Sequence, residues 1–136
     1  MRRFRLLKHT ADIGLVASGT SLAEAFANAA YGLFSIIAEL RSVRETESRK
    51  LELAEENPED LLYEWLNNLI YLFDTEMLIF KRFEMLEFDG KKLRAECFGE
   101  RYDPSRHHLR TGVKAATYHL LRVDREKNQV QVILDV

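Results

Sequence analysis

Two short phrases at opposite ends of the chain carry the residues best suited to chemistry. His9-Thr10-Ala11-Asp12-Ile13-Gly14 sets an imidazole and a carboxylate within a few positions of each other, just ahead of an apolar strand. The same phrase also reads as a plain turn, with Asp12 bonded to local backbone amides and His9 at the surface. The other phrase is Leu134-Asp135-Val136. Asp135 belongs to the strand face opposite Leu134, and the terminal carboxylate follows one residue on. Anionic groups this close repel, and solvent, a basic partner or a cation relieves the repulsion. If Asp12 faces them as well, three carboxylates converge. An all-oxygen set of that charge suits Ca²⁺ or Mg²⁺ rather than zinc. The alternative is a frayed terminus.

Other residues admit a functional and an ordinary reading side by side. The stretch Arg101 to Lys114 is locally basic, with Arg106, His107, His108 and Arg110 set against Asp103. It suits a phosphate or an acidic surface, and equally a solvated loop. His119 falls on a strand face with Thr117 and Leu121, where a hydrogen-bonded core histidine is the common outcome. Glu100, after Gly99 and near Tyr102, carries the same ambiguity. Leu51 to Glu64 holds six acids and no base, which fits docking on a basic protein or a solvated helix entrance. No glycine-rich phosphate loop, nucleophile elbow or HExxH helix occurs.

The elements that must position these residues follow from periodicity. Ser21 with Glu24 forms a capping-box pattern, and Leu22, Ala25, Phe26, Ala29, Ala30, Leu33, Phe34 and Ile37 make one apolar helical stripe. Gly32 inside it points to a close backbone approach. Asn57 and Pro58 open a second helix whose face is Leu61, Leu62, Trp65, Leu66, Leu69, Ile70 and Phe73, with Asn67 and Asn68 near its edge. Strands are expected at 13–17, 43–54, 79–88 and 91–98, the last two joined through Asp89-Gly90. A change of phase near Met85-Leu86 predicts a bulge. Val113 to Val123 and Val130 to Leu134 alternate as a final hairpin.

The fold class is α+β, with two helices packed on antiparallel or mixed sheets. A weak internal echo of strand-helix-strand-strand places an inserted module at about 42–100 inside an outer one at about 1–40 and 105–136.

Composition narrows the function. The 136 residues make one domain, and 46 % apolar with 31 % charged residues describe a folded chain. Twenty Lys+Arg against 22 Asp+Glu leave a net charge of −2, too little positive charge for general nucleic-acid coating. No apolar run spans a membrane, and the start lacks the apolar core of a signal peptide. Cys97 is the sole cysteine, which excludes an internal disulfide and fits a reducing cytoplasm.

Taken together, the phrases resemble one family nearly end to end. His9 to Gly14 and the helix ending Ala30-Tyr31-Gly32-Leu33-Phe34 resemble the opening of archease. Asp60-Leu61-Leu62 with Trp65-Leu66-Asn67 is similar to its second helix. Gly99-Glu100, His107, Val113-Lys114-Ala115 with Thr117-Tyr118-His119, and Ile133 to Val136 resemble its C-terminal half.

The resemblance implies a small cytosolic accessory protein of the tRNA-splicing RNA ligase, which joins RNA ends using GTP and a divalent metal. It implies promotion of guanylylation of the ligase's active-site histidine, multiple turnover and broader nucleotide use. It implies two nested modules, and a metal site at Asp12, Asp135 and Val136 for Ca²⁺ or Mg²⁺, or Mn²⁺ in company with the ligase. Lys114 would face phosphate, and the protein would not itself be an enzyme; direct RNA contact stays open. The competing classes are a stand-alone metal-dependent hydrolase using Asp12, Asp135 and His9 or His119, and a chaperone-like modulator of RNA-modifying enzymes.

Overall fold

The computed structural model describes residues 3–8 and 11–136. In chain order these form β1 (Phe4–Lys8), β2 (Asp12–Ser18), α1 (Leu22–Ile37), β3 (Glu47–Ala54), α2 (Pro58–Glu76), β4 (Leu78–Phe88), β5 (Lys92–Arg101), β6 (Ala115–Asp124) and β7 (Gln129–Asp135). The α+β class expected from the sequence is the class observed. Every strand pairing is antiparallel. One sheet runs β1-β2-β7-β6 and the other β3-β5-β4.

Each helix starts where its side chains can satisfy free amides. Ser21 Oγ accepts the Glu24 amide at 3.1 Å. The Glu24 carboxylate reaches back one residue further than a standard capping box and accepts the Thr20 amide at 2.8 Å. Asn57 Oδ1 accepts the Asp60 amide at 2.8 Å, and Pro58 fills the first turn, where its missing N–H costs nothing.

Both helices lie between the sheets. α1 packs on β2 and β4, and α2 packs on β6 and touches all three strands of the smaller sheet. Gly32 makes the close approach on α1 possible, since a Cβ there would stand 2.7 Å from Leu15 Cδ1. Phe34, Trp65, Leu66 and Leu69 are fully buried, as their mid-stripe positions require. The Trp65 indole N–H donates to the Phe26 carbonyl at 3.0 Å and ties α2 to α1.

Three details depart from the sequence reading. β1 was not anticipated, because a five-residue stretch broken by arginine and lysine has too little pattern to stand out. The Asp89-Gly90 turn spans three residues rather than two. Gly90 takes φ +92°, and Asp89 Oδ1 accepts the amides of Lys91 and Lys92 at 2.8 and 2.7 Å. The expected alternation of β6 breaks between Thr117 and Arg122. Ala116 and Val123 both pair with core residues of β7, Leu134 and Val130, although their numbering parity differs. The bulge expected near Met85 is present between Met85 and Glu87, and β4 carries a second irregularity between Phe80 and Arg82.

Candidate functional site

Asp12 and Asp135 come together because β2 and β7 are neighbours in register. Their Cα atoms are direct partners across the antiparallel pair. Directly opposed residues project to the same sheet face, with Cβ atoms about 4.5–5.5 Å apart. Ile13, Leu15 and Ala17 turn toward the helices and pair with Leu134, Val132 and Val130. Asp12 and Asp135 therefore share the opposite, outer face. Like charges at such a position destabilise a sheet unless something of opposite charge joins them.

Asp12 is half-buried while Asp135 is exposed. Gly14 pairs with Ile133 on one side and Leu7 on the other. A Cβ at Gly14 would lie 2.9 Å from Leu7 Cβ and 3.3 Å from Ile133 Cδ1. Glycine lets these two side chains close over the sheet next to Asp12. Asp12 Oδ1 is buried and has no hydrogen-bond partner among the described residues. A buried carboxylate oxygen without a donor is costly, and a cation is one remedy.

Val136 is half-buried and packs against the apolar core, so the end of β7 is held rather than frayed. The edge strand β6 completes the corner. Ala115 pairs with Asp135, and the Lys114 amide donates to the Asp135 carbonyl at 2.7 Å. This leaves the exposed Lys114 beside the aspartates in the chain path. Among the described residues no group of three or more His, Cys, Asp and Glu side chains is gathered closely enough to hold a metal ion. The oxygen donors that the register brings together are the two aspartates. Oxygen donors of this kind fit a hard divalent cation. His9, the other polar member of the first phrase, lies outside the described residues.

One positioning residue was not recognised as such in the sequence. Asn67 Oδ1 accepts the Ala116 amide at 2.9 Å, and its Nδ2 donates to the Ala116 carbonyl at 3.2 Å. A single side-chain amide thus satisfies both backbone polar groups of Ala116 at the edge of β6 and clasps that strand to α2. An asparagine bordering the apolar stripe of a core helix was the available signal.

The remaining candidates stand elsewhere. Glu100, in β5, is buried in an ion cluster. It accepts the Arg44 amide at 2.5 Å, pairs with the Arg106 guanidinium and lies 3.2 Å from His107 Nε2. Burial pushes its carboxyl up, but Arg106, the Arg44 amide and His107 outweigh burial and hold it down to about 2. His107 is itself buried, and its Nδ1 accepts the Asp103 amide at 2.9 Å, which puts the ring proton on Nε2, close to Glu100 but not aligned to hydrogen-bond it. The segment from Arg101 to Lys114 is therefore not a solvated loop throughout, nor a free basic patch. Arg106 also binds the Ser42 carbonyl, Arg110 binds Glu39, and Arg101 caps the Glu76 carbonyl at the end of α2. His119 is exposed in the β6 irregularity, not a core histidine.

Comparison with known proteins agrees with this architecture. The archease protein family model matches residues 4–136. The archease of Sulfurisphaera tokodaii is 38 % identical over 130 residues, covering 94 % of this chain and 93 % of that one. The archease of Thermococcus gammatolerans is 41 % identical over 129 residues, covering 92 % and 90 %. The solution structure of Methanobacterium thermoautotrophicum protein 1598 superposes with a TM-score of 0.83 at 33 % identity over the whole of both chains. The crystal structure of a Thermotoga maritima archease, described as a possible chaperone, gives 0.62 at 25 % identity over 100 % of this chain and 98 % of that one. With the family model spanning nearly its whole length, this chain belongs to the archease family.

Proposed function

We propose that this protein activates a GTP-dependent tRNA-splicing RNA ligase by promoting guanylylation of the ligase's active-site histidine, so that the ligase turns over repeatedly and accepts a broader range of nucleotides. The observation that carries this reading is the Asp12–Asp135 pair, with one Asp12 oxygen buried and without a partner among the described residues, at a corner where a family accessory protein can present charge. Asp12, Asp135 and the carboxylate of Val136 would hold a divalent cation, Ca²⁺ or Mg²⁺, or Mn²⁺ when the ligase is present. Such a cation, when bound, neutralises charge on phosphate oxygens.

The chain's own contribution is positional. Gly14, next along β2 on the same face as Asp12, leaves room for the Leu7 and Ile133 side chains. The β2–β7 register fixes the spacing of the two carboxylates, and the Asn67 clasp fixes β6 beside them. Lys114 supplies a mobile positive charge for phosphate at the rim. Nothing in this arrangement requires a covalent intermediate on the protein itself, and we infer that the ligase remains the catalyst. The setting is cytoplasmic in this reading; among the described residues no helix is long and apolar enough to cross a membrane.

The test is a guanylylation assay of the ligase with GTP and divalent metal, with and without this protein. Substoichiometric wild-type protein is expected to accelerate labelling, and Asp12→Ala is expected to lose the acceleration while keeping its fold, because Asp12 lies off the core. Full acceleration by Asp12→Ala would overturn the metal-corner reading. Retention of activity by that variant is also what a chaperone-like modulator would give, the role suggested in the description of the T. maritima relative. Nucleotide or RNA hydrolysis by the isolated protein would favour the hydrolase class instead.

A further inference from the structure

We propose that the β6 bulge, Tyr118 to Leu121, together with the acidic opening turns of α2, is a docking face for a protein surface that offers an apolar recess rimmed by lysine and arginine. The backbone of β6 is anomalous at its centre. Thr117 pairs with Ile133 and Arg122 with Gln131, so four residues of β6 stand opposite Val132 alone. Within them Leu120 takes φ +54°, a left-handed conformation that a leucine side chain disfavours. The conformation is held in place, since Gln131 Nε2 donates to the Leu120 carbonyl at 3.0 Å. The result is a leucine pushed into solvent, 58 % exposed, beside Tyr118 at 55 %. Strain that serves no packing in the isolated molecule is characteristic of binding and switch positions.

The knob sits on a rigid base. The Tyr118 ring stacks on Tyr63 at 4.0 Å and an interplanar angle of 13°, and its hydroxyl donates to Asp60 Oδ1 at 3.0 Å. A preordered aromatic and aliphatic pair loses little conformational freedom on binding.

Charge chooses the partner. The opening turns of α2 beneath the knob, Pro58 to Glu64, carry Glu59, Asp60 and Glu64 and no base. Burial and the negative charge of Asp60 and Glu64 push the Tyr118 phenol up to about 12. Such a face repels nucleic acid and anionic lipid. Pairing with a second copy of itself would set acids against acids. A basic, partly apolar protein surface is the complement, and basic rims speed and orient encounter.

Place gives the face a purpose. Ala115, which pairs with Asp135, lies five residues before Leu120, so the corner is at most roughly 17 Å along the strand. Tyr118 leans on the helix side of the sheet and Asp12 and Asp135 on the outer side, so a partner seated on the bulge reaches the corner around the free edge of β6. In identifying that partner with the ligase, the inference rests on the function proposed above.

The experiment measures binding and activation separately, using purified tRNA-splicing ligase, calorimetric titration and the guanylylation assay. Leu120→Asn removes the apolar knob and suits the left-handed backbone, so its thermal midpoint is expected at or above wild type. Glu64→Lys reverses one charge of the rim. Each is expected to weaken ligase binding at least about tenfold and to regain the full labelling rate at saturating protein. Asp12→Ala is expected to bind as wild type and fail to activate. Wild-type affinity for the ligase in folded Leu120→Asn, or in Glu64→Lys, would overturn the docking face and leave the proposed function standing. Wild-type protein that binds through this face without accelerating the ligase would support the face and overturn the function. Absence of any wild-type binding would overturn both.

Discussion

Replacing Asn67 by leucine is expected to loosen the candidate site without touching any group in it. Leucine fits the volume and the helix, so α2 itself should survive. What disappears are both hydrogen bonds to Ala116, the 2.9 Å bond from its amide and the 3.2 Å bond to its carbonyl. A net hydrogen bond contributes about 0.5–1.5 kcal/mol, so the pair amounts to about 1–3 kcal/mol. The upper end applies if the edge of β6 stays dry, and the lower end if water replaces the amide. Asn67 is half-buried, which places the expectation near the middle, about 2 kcal/mol. Denaturant unfolding would read this as a lower midpoint at unchanged slope. Amide hydrogen exchange would read the local effect, as faster exchange at Ala116 and, because Lys114 bonds to Asp135, at Lys114. Asn67→Asp sharpens the test. Its carboxylate still accepts the Ala116 amide but opposes the Ala116 carbonyl, and protonation restores a donor. Its folded-state pKa is therefore raised, and its destabilisation grows as pH rises from about 4. If Asn67→Leu unfolds at the wild-type midpoint with Ala116 exchange unchanged, the clasp contributes nothing and β6 is held by its pairing with β7 alone.

Trp65→Ala empties the centre of α2's buried face and breaks the indole bond to Phe26, and is expected to cost about 3–5 kcal/mol by denaturant titration. Glu100 gives a pH signature. Its carboxyl is lowered from 4.5 to about 2, so its contribution is complete above about 4.5 and is lost as pH falls toward 2; at 1.36 kcal/mol per unit this amounts to at most about 3 kcal/mol, and Glu100→Gln is expected to flatten that part of the stability profile. A peptide tag appended after Val136 is expected to reduce ligase activation by displacing that carboxylate from Asp12 and Asp135, which a tag-cleavage comparison in the guanylylation assay would register.

The helices were legible because each rests on local signals that agree with one another. Ser21 and Asn57 cap, Pro58 follows its cap, and the stripes through Phe34 and Trp65 have the helical period. The strands were legible only where alternation ran undisturbed. β1 escaped notice because Phe4, Leu6 and Leu7 are its only apolar residues and make no sustained alternation, and a strand of that length is defined by its neighbour rather than by itself. β6 misled for the opposite reason. Its alternation from Val113 to Val123 is regular on paper, yet the four-residue bulge reverses which parity faces the core. Nothing in Tyr118-His119-Leu120-Leu121 marks a left-handed residue, since neither glycine nor asparagine occupies it.

The corner illustrates how far residue types carry without pairing. Asp12 and Asp135 were identifiable as carboxylates at strand ends, but their meeting depends on β7 lying between β2 and β6, an order that no local pattern encodes. Register then does what sequence cannot express. A slip of one residue between β2 and β7 would send Asp12 toward the helices and set Ile13 in its place. The core prevents that slip, because Leu15 and Val132 are fully buried as partners on the inner face. The buried apolar pairs thus fix the separation of two charged groups on the other side of the same strands. Gly14 belongs to this logic as well. It looks like turn punctuation in the sequence, but its φ is not positive, and its work is steric, making room for Leu7 and Ile133 on the outer face beside Asp12. Gly14→Ala should therefore disturb the environment of Asp12 by moving Leu7 and Ile133, while leaving the backbone conformation of β2 within reach of any residue.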